Sequence, residues 1–302
     1  MDMDIARLKA LRELSIRQTM AAVAEALNLT PSAVSQQIAQ LEEEVGVPLT
    51  ERRGRGVKLT YAGEVLVSHV ERIMGVLDEA SSELALIRKE IAGTLRIAAF
   101  ATAAAALLPP VLQALRKSYP RLQITIIEME PSEGLAALGS WNVDLAIVDD
   151  LSVRLARMEK TVHKVRLIDD ELKVVMAKNH HLAVKASIVL SELKDEEWAM
   201  DSATSFYGEF VMNLCRQAGF TPQVNAACRG SEIIAAMVAS GCSVSIIPGL
   251  RLGQISQQLV ARPLRPAVTR RISVAFRQGE RSHPAIKVFV EQLLRTAQTM
   301  TP

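Results

Sequence analysis

Apolar residues recur at helical spacing from the start of the chain. Ile5, Leu8, Leu11 and Leu14 form one face, and Ala22, Val23, Ala26 and Leu27 form another behind Thr19, a candidate cap. Asn28-Leu29 breaks that second helix. Thr30 then stands at an N-cap with Pro31 at the first helical position, where a missing N–H does no harm. Val34, Ile38, Leu41 and Val45 make one buried stripe of a third helix, which Gly46 ends. Two helices joined by a short turn, the second entered through Thr-Pro, make a helix-turn-helix pattern. After Pro48, the cations Arg52, Arg53, Arg55 and Lys58 are interleaved with Gly54 and Gly56 ahead of Val57, Leu59 and Thr60. This predicts a hairpin with a basic tip, a wing. The plainer alternative is a solvated turn.

The clearest periodicity follows. Leu66, Val70, Ile73, Leu77, Ala80, Leu84, Ile87 and Ile91 are spaced 4, 3, 4, 3, 4, 3 and 4 apart, an a/d heptad seam. Glu71, Arg72, Asp78, Glu79, Glu83, Arg88 and Lys89 lie beside it. About 30 helical residues span roughly 45 Å. A stripe this narrow favours a dimerising helix over residues 61–92 rather than a helix lying on its own core.

From Gly93 the period changes. Strand candidates are Thr94–Phe100, Gln123–Met129, Val143–Val148, Val162–Ile168, Leu172–Ala177, Trp198–Met200, Val224–Cys228, Val244–Ile247 and Ile272–Phe276. Helices are expected at Ala103–Tyr119, interrupted early by Pro109-Pro110, and at Ser132–Gly139, Phe206–Ala218, Ser231–Ser240 and Pro284–Ala297. Alternation of strand and helix is the α/β signature. Two such runs suggest two lobes with a cleft between them.

Composition sharpens this picture. At 302 residues and about 150 residues per domain, the chain holds two domains or more. Lys plus Arg is 35 and Asp plus Glu 33, a net charge of +2, which excludes a polybasic nonspecific nucleic-acid binder. Residues 1–60 carry eight basic and eight acidic side chains. Affinity for DNA must then come from the wing, one helix face and two copies of the chain. Cys215, Cys228 and Cys242 lack zinc-finger spacing and read as buried structural thiols in a reducing compartment. No apolar leader or membrane span is evident, so a soluble cytoplasmic protein is expected. His180-His181 suggests a metal, but adjacent side chains do not face one site, so no metal is expected. Asp149-Asp150 and Asp169-Asp170 point in opposite directions along strands, which argues against catalytic pairs. No nucleophile elbow, phosphate loop or dinucleotide fingerprint occurs. Neither a catalytic residue nor a cofactor is expected.

Ala21-Ala22, Leu27, Ser32-Ala33-Val34-Ser35-Gln36-Gln37-Ile38, Leu41-Glu42, Gly46, Leu49, Arg52, Leu59-Thr60 and Ala62-Gly63 together resemble the winged helix-turn-helix of LysR-type transcriptional regulators. The resemblance continues through LLPPVLQALRKSYPRLQITI, VDLAIV and ASGCSVSIIP, so it covers essentially the whole chain. It implies an α+β multidomain chain in three parts. Residues 1–60 are the DNA-binding head and 61–92 the linker helix. Residues 93–302 are an effector domain like type 2 periplasmic-binding proteins, with lobe I at about 93–165 and 267–302 and lobe II at about 166–266. Thr50 stands where the family usually has an aromatic, and Gln36 where many members have Arg.

The helix from Thr30 would enter the major groove N-terminus first. Ser32, Ser35, Gln36 and Gln40 lie on its solvent face, Gln36 is suited to adenine, and Pro31 packs against a thymine methyl. Arg53 and Arg55 would reach phosphate or the minor groove; Arg52 does so or braces the wing. The resemblance puts a small effector between the lobes, near Phe100, Ala101, Thr102, Asp149, Ser205, Tyr207, Ser231, Ile247 and Pro248. Helix N-termini suit a carboxylate, and Asp149 favours an added cationic group, as in an amino acid. For each hydroxyl, a plain N-cap is an equal reading. Double-stranded promoter DNA, the effector and a second copy of the chain are the expected partners. The copies would form a dimer through 62–91, and a tetramer through the effector domains. RNA polymerase is a further candidate. A cytosolic small-molecule-binding protein or enzyme built on the two-lobed domain is the alternative. The Thr-Pro cap, polar helix face and basic wing weigh against it.

Overall fold

The computed structural model describes residues 3–53, 56–88, 91–151, 161–202, 205–228, 231–254 and 259–300. Side-chain caps set the helix starts of the head. Asp4 accepts the Ala6 N–H ahead of α1 (Ile5–Arg17), Thr19 accepts that of Ala22 ahead of α2 (Met20–Leu27), and Thr30 that of Ala33 ahead of α3 (Pro31–Val45). Leu11, Leu14, Val23, Val34, Ile38 and Leu41 share one core. The hairpin of β1 (Thr50–Arg53) and β2 (Gly56–Leu59) is antiparallel, with Arg53 opposite Gly56. The Val57 N–H donates to Gln18 O and docks the wing on the α1–α2 turn. Thr60 then caps α4 (Tyr61–Ile87). Only glycine fits at 63, because a Cβ there would lie 2.2 Å from the Leu49 carbonyl oxygen.

The linker helix departs from the expected seam. Leu66 and Val70 belong to the core of the head, whereas Ile73, Leu77, Leu84 and Ile87 are exposed together with Val76. The three-helix head is too small to bury itself and borrows the first turns of α4. The free stripe therefore starts about two turns later than the spacing suggests.

Lobe I contains β3 (Gly93–Ala99), α5 (Ala101–Ser118), β4 (Leu122–Glu128), α6 (Pro131–Gly139) and β5 (Leu145–Asp149). The chain enters lobe II through β6 (Val162–Ala177), and β7 (Glu197–Asp201), α7 (Phe206–Gln217), β8 (Gln223–Cys228), α8 (Ser231–Ala239), β9 (Ser245–Pro248) and β10 (Leu259–Pro263) follow. It returns through β11 (Thr269–Arg277) and closes with α9 (Pro284–Met300). A seven-stranded sheet runs β10-β6-β11-β5-β3-β4, and β9 also pairs with β6. The two strands expected at 162–168 and 172–177 are one strand shared by both lobes. Its first half pairs with β11 and its second half with β9 and β10, so the lobes change over near residue 171. Parallel β7 and β8 complete lobe II. Ile97, Leu107, Leu108, Phe289 and Leu293 anchor one core and Leu172, Trp198, Cys215 and Val244 the other.

The Pro109-Pro110 pair does not interrupt α5. Both prolines are exposed, and the carbonyls they leave unbonded, those of Ala105 and Ala106, lie on the outer side of the helix, Ala105 itself exposed.

The head also docks on lobe I. Arg12 Nη1 donates to Gly139 O at 2.6 Å, Ser140 Oγ to Glu13 Oε2 at 2.8 Å, and Asn142 Nδ2 to Ala26 O at 2.6 Å. Trp141 Nε1 donates to Asp78 of α4 at 3.0 Å, and Asp78 faces Arg277 of β11 at 3.4 Å. Lys9, Arg12 and Arg277 all lie within 6 Å of the Trp141 ring centre.

Candidate functional sites: the recognition helix and the interlobe cleft

Burial of Val34, Ile38 and Leu41 turns the other side of α3 to solvent. Thr30, Pro31, Ser32, Ser35 and Gln36 are exposed, and Gln40 is half-buried beside them. Thr30 Oγ1 also lies 3.0 Å from Ser32 Oγ. Arg52 is exposed on β1, and Arg53 ends that strand. Arg55, expected at the tip of the wing, lies outside the described residues. Helix and wing are locked together by Glu42, whose Oε1 accepts from Leu49 N at 2.8 Å and from Thr50 N and Thr50 Oγ1 at 2.9 Å each. Thr50 thus supplies a hydroxyl to this carboxylate. Glu44 pairs with Arg7, so two of the three glutamates at 42–44 are engaged within the head.

The cleft is built around a residue the sequence reading passed over. Arg270, near the start of β11, is buried. It binds Asp170 through Nε at 2.9 Å and Nη2 at 2.8 Å, donates to Thr102 Oγ1 at 2.9 Å, and lies 3.6 Å from Asp149. The rings of Phe100 and Tyr207 flank its guanidinium at 5.0 and 5.9 Å. The other Asp170 oxygen accepts the Leu250 N–H at 2.8 Å. A side chain at Gly249 would press within 2.9 Å of that oxygen and of Glu171 O. Above this floor lies a cavity of about 60 Å³, room for about two waters.

Phe100, Ala101, Thr102, Asp149, Tyr207 and Pro248 line the cavity, and so do Glu130, Pro131, Asp201, Arg251 and Arg270. Of the expected effector residues, three stand outside it. Ser205 is spent as the cap of α7, accepting from Gly208 N at 2.9 Å. Ile247 is buried in the β6–β9 ladder, and Ser231 begins α8. Tyr207 is held by its hydroxyl, which donates to Ile246 O at 3.2 Å, and burial raises its pKa.

Burial raises the carboxyl pKa of Glu130, with Asp201 across the cleft adding to the shift. Burial likewise raises that of Asp201, against the pull of Arg251, and lowers that of Arg251. The first turn of α5 is open to a ligand, because its N-cap, Phe100, offers no side-chain bond. No local pattern marks Arg270, Asp201, Arg251 or Glu130. The only signal is a charge at each end of an apolar strand.

Residues 5–64 match the family model for bacterial regulatory helix-turn-helix proteins of the lysR family, and residues 88–298 match that for the LysR substrate binding domain. The chain belongs to the LysR family. It is a transcriptional regulator with a helix-turn-helix head and an effector-binding domain, which bears out the fold and the main functional reading over the alternative. The transcriptional dual regulator GltC of Bacillus subtilis is 25% identical over 97% of both chains. A full-length OxyR variant from Pseudomonas aeruginosa has the same fold, with a TM-score of 0.65 at 24% identity over 97% of this chain and 95% of that one. CbnR, solved with its target DNA, gives 0.53 at 22% identity over 98% and 100%.

Other candidate chemistry in this LysR regulator reads differently in three dimensions. His180 and His181 do face one group, contrary to the sequence argument. Their rings stack at 4.6 Å, and their Nε2 atoms lie 3.3 and 3.7 Å from Glu196. Yet His180 Nδ1 accepts the Leu182 N–H at 3.2 Å, which leaves the proton on Nε2, where a metal would need a lone pair. The geometry places both imidazoles against one carboxylate. Asp150 and Asp169 are exposed while Asp149 and Asp170 are buried, as alternation along a strand requires. Cys215 and Cys228 are buried and Cys242 is exposed, so the reading of three buried thiols holds for two. Burial pushes the Cys215 thiol up to about 12. Among the described residues no helix is long and apolar enough to cross a membrane.

Proposed function

We propose that this regulator reads promoter DNA in the cytoplasm with the exposed N-terminal half of α3. Ser32, Ser35 and Gln36 face base edges, Pro31 a thymine methyl, and Arg52, Arg53 and Arg55 grip the backbone beside them. The observation that carries this is the exposed polar face of α3, set by Glu42 against the wing. The exposed stripe Ile73, Leu77, Leu84 and Ile87 supports pairing of two chains along α4, which doubles a head whose own net charge is zero. Pairing of two dimers through effector domains, and contact with RNA polymerase from an upstream site, extend the same reading. Fluorescence anisotropy across a salt series tests the wing. Arg55→Ala should weaken binding to all sequences and lower the salt slope by about 1; an unchanged slope overturns the assignment.

The effector in this reading is a small amino acid. The α5 N-terminus and Arg251 suit its carboxylate. With Arg270 matched by Asp170 and Asp149, Glu130 and Asp201 still outnumber Arg251, so an ammonium group is called for as well. Opening of the lobes must accompany entry, since about 60 Å³ is too little for such a ligand. Control then requires different affinities for the open and closed arrangements. Calorimetry with amino acids, matched carboxylates and matched amines checks this. Binding by carboxylates alone removes the ammonium contact, and binding by amines alone removes the carboxylate contact.

A further inference from the structure

One short helix runs from the cleft to the head. α6 starts in the cleft, where Glu130 at its N-cap and Pro131 at its first position line the cavity. It ends nine residues on, about 13 Å away, at the turn that docks on the head. Ser140 Oγ donates there to Glu13 Oε2 at 2.8 Å, Asn142 Nδ2 to Ala26 O at 2.6 Å, and Gly139 O accepts from Arg12 at 2.6 Å. Arg12 and Glu13 stand outside the apolar core of the head, yet they are only 4% and 2% exposed.

The turn belongs to α6. The N–H groups of Ser140, Trp141 and Asn142 donate to Ala136 O, Leu138 O and Ala137 O at 3.0, 3.3 and 2.9 Å. Trp141 has φ +59°, a left-handed conformation that a large side chain rarely adopts. Such a residue persists where its surroundings hold it. Here its carbonyl accepts from Arg96 at 2.8 Å, its indole N–H donates to Asp78 at 3.0 Å, and Lys9 and Arg12 of α1 lie 5.2 and 5.0 Å from its ring centre.

β5 and β11 also begin or end at the cleft, with Asp149 and Arg270, but ladders on their neighbours fix their register. α6 lies on the sheet without pairing to it. Gly134 comes so near that an added Cβ would lie 3.1 Å from the Ala98 Cβ, and Ala137 shares a core with Ala98, Ala146 and Ala275. Side chains this small interlock little, so the contact suits the sliding of a packed helix by about 1–2 Å. The pull for such a slide is present at the cleft end, where the charge of Asp201 acts on Glu130.

We propose that α6 couples the effector to the head: an ammonium group between Glu130 and Asp201 draws α6 towards the cleft, withdraws the 139–142 turn from α1 and frees the head. This coupling rests on the amino-acid reading of the cleft. A docked head is held at one angle, and a freed head can take another on DNA. By linkage, freeing the head changes effector affinity in return.

Acrylamide quenching of fluorescence from the full chain tests the coupling without an effector. The chain has two tryptophans, and Trp198 is fully buried, so quenching follows Trp141 as α1 leaves it. Glu130→Lys sets an ammonium group facing Asp201. The quenching constant should rise about twofold or more, and Asp201→Asn added to it should bring the constant back towards the parent value. Asp201→Lys, the second variant, puts the cation on the opposite wall and should act alike. The double variant Ser140→Ala, Asn142→Ala unties the turn directly and should raise quenching by itself, with little added by Glu130→Lys. Parent-like quenching in either folded lysine variant, a rise that Asp201→Asn does not reverse, or a rise of the same size after the turn is untied would each overturn the proposal. Calorimetry with amino acids judges the cleft and these variants judge the helix, so either reading can fail without the other.

Discussion

The recognition face of α3 and the interlobe cleft are both polar, but their polar groups are satisfied in opposite ways. On α3, Ser35 and Gln36 are exposed and make no side-chain hydrogen bond among the described residues. In the cleft, Arg270 has Asp170, Thr102 and Asp149 around it. On the proposed reading, DNA has only to displace water from the first. A ligand in the second must enter among ion pairs that already hold two lobes together. Polar side chains are therefore left free in one region and committed to architecture in the other.

The largest test removes a cleft carboxylate. Asp170→Ala leaves a buried guanidinium with Asp149 at 3.6 Å as its remaining carboxylate. It also frees the Leu250 N–H. Breaking a buried pair from one side costs about 3–5 kcal/mol. Urea unfolding should show the sensor transition shifted by that amount, and a shift within about 0.5 kcal/mol, typical of surface changes, would place Asp170 with the recognition residues instead.

Gln36→Ala asks the converse of α3. Stability should stay within about 0.5 kcal/mol, because the side chain is exposed and makes no hydrogen bond among the described residues. Selectivity for adenine at the facing position should fall by about 1–3 kcal/mol. Selection from a randomised operator measures this. A variant that keeps its base preference removes Gln36 from direct readout.

The contrast also explains what could be read from the sequence. The head is built from contacts close along the chain, so spacing and caps at Thr19, Thr30 and Thr60 locate its elements. Gly63 belongs to the quoted motif, and its reason appears only when Leu49 O is brought beside it. The cleft draws on residues 100, 130, 149, 170, 201, 251 and 270, and no local period links them. Of these the sequence reading found Phe100 and Asp149, and it missed Glu130, Asp201, Arg251 and Arg270 as site residues, because their partners come from other segments. It also placed Ser205 at the ligand, where capping of α7 accounts for the residue. In the linker, a period of 3.5 could not tell which partner each apolar residue meets. Leu66 and Val70 meet the head.

Between the two regions lies a titrating group. Glu280, beside Arg277, Asp78 and Asp144, has its carboxyl pushed up to about 7 by burial, from the ordinary 4.5. One of its oxygens is buried without a hydrogen-bond partner among the described residues. Its pKa in the folded chain is the higher one, so the folded state holds a proton that the unfolded state releases between these two values. Stability should then be greatest at the acid end of that window, fall as pH rises towards about 7, and level off above. The slope is limited to one proton, at most about 1.4 kcal/mol per pH unit. Glu280→Gln should flatten it and gain stability at about pH 8. A parent chain whose denaturation midpoint is level across the window would show that Arg277 keeps Glu280 charged throughout.

The smallest effect sharpens the comparison, because Thr30 belongs to both categories. It is exposed at the DNA-facing end of α3, yet its hydroxyl accepts the Ala33 N–H at 3.2 Å and lies 3.0 Å from Ser32 Oγ. Thr30→Ala removes the cap and should cost the head about 1 kcal/mol. Thr30→Ser keeps the cap oxygen and should restore most of it. DNA affinity separates the two roles when it is measured at a temperature where both variants are fully folded. If capping is the whole contribution, Thr30→Ala binds as tightly as the parent chain once folded. If the hydroxyl also meets phosphate, affinity falls equally on specific and nonspecific DNA, and Thr30→Ser recovers it. A loss confined to the specific operator would instead make Thr30 a reader of bases and extend the recognition face one residue N-terminal to Pro31.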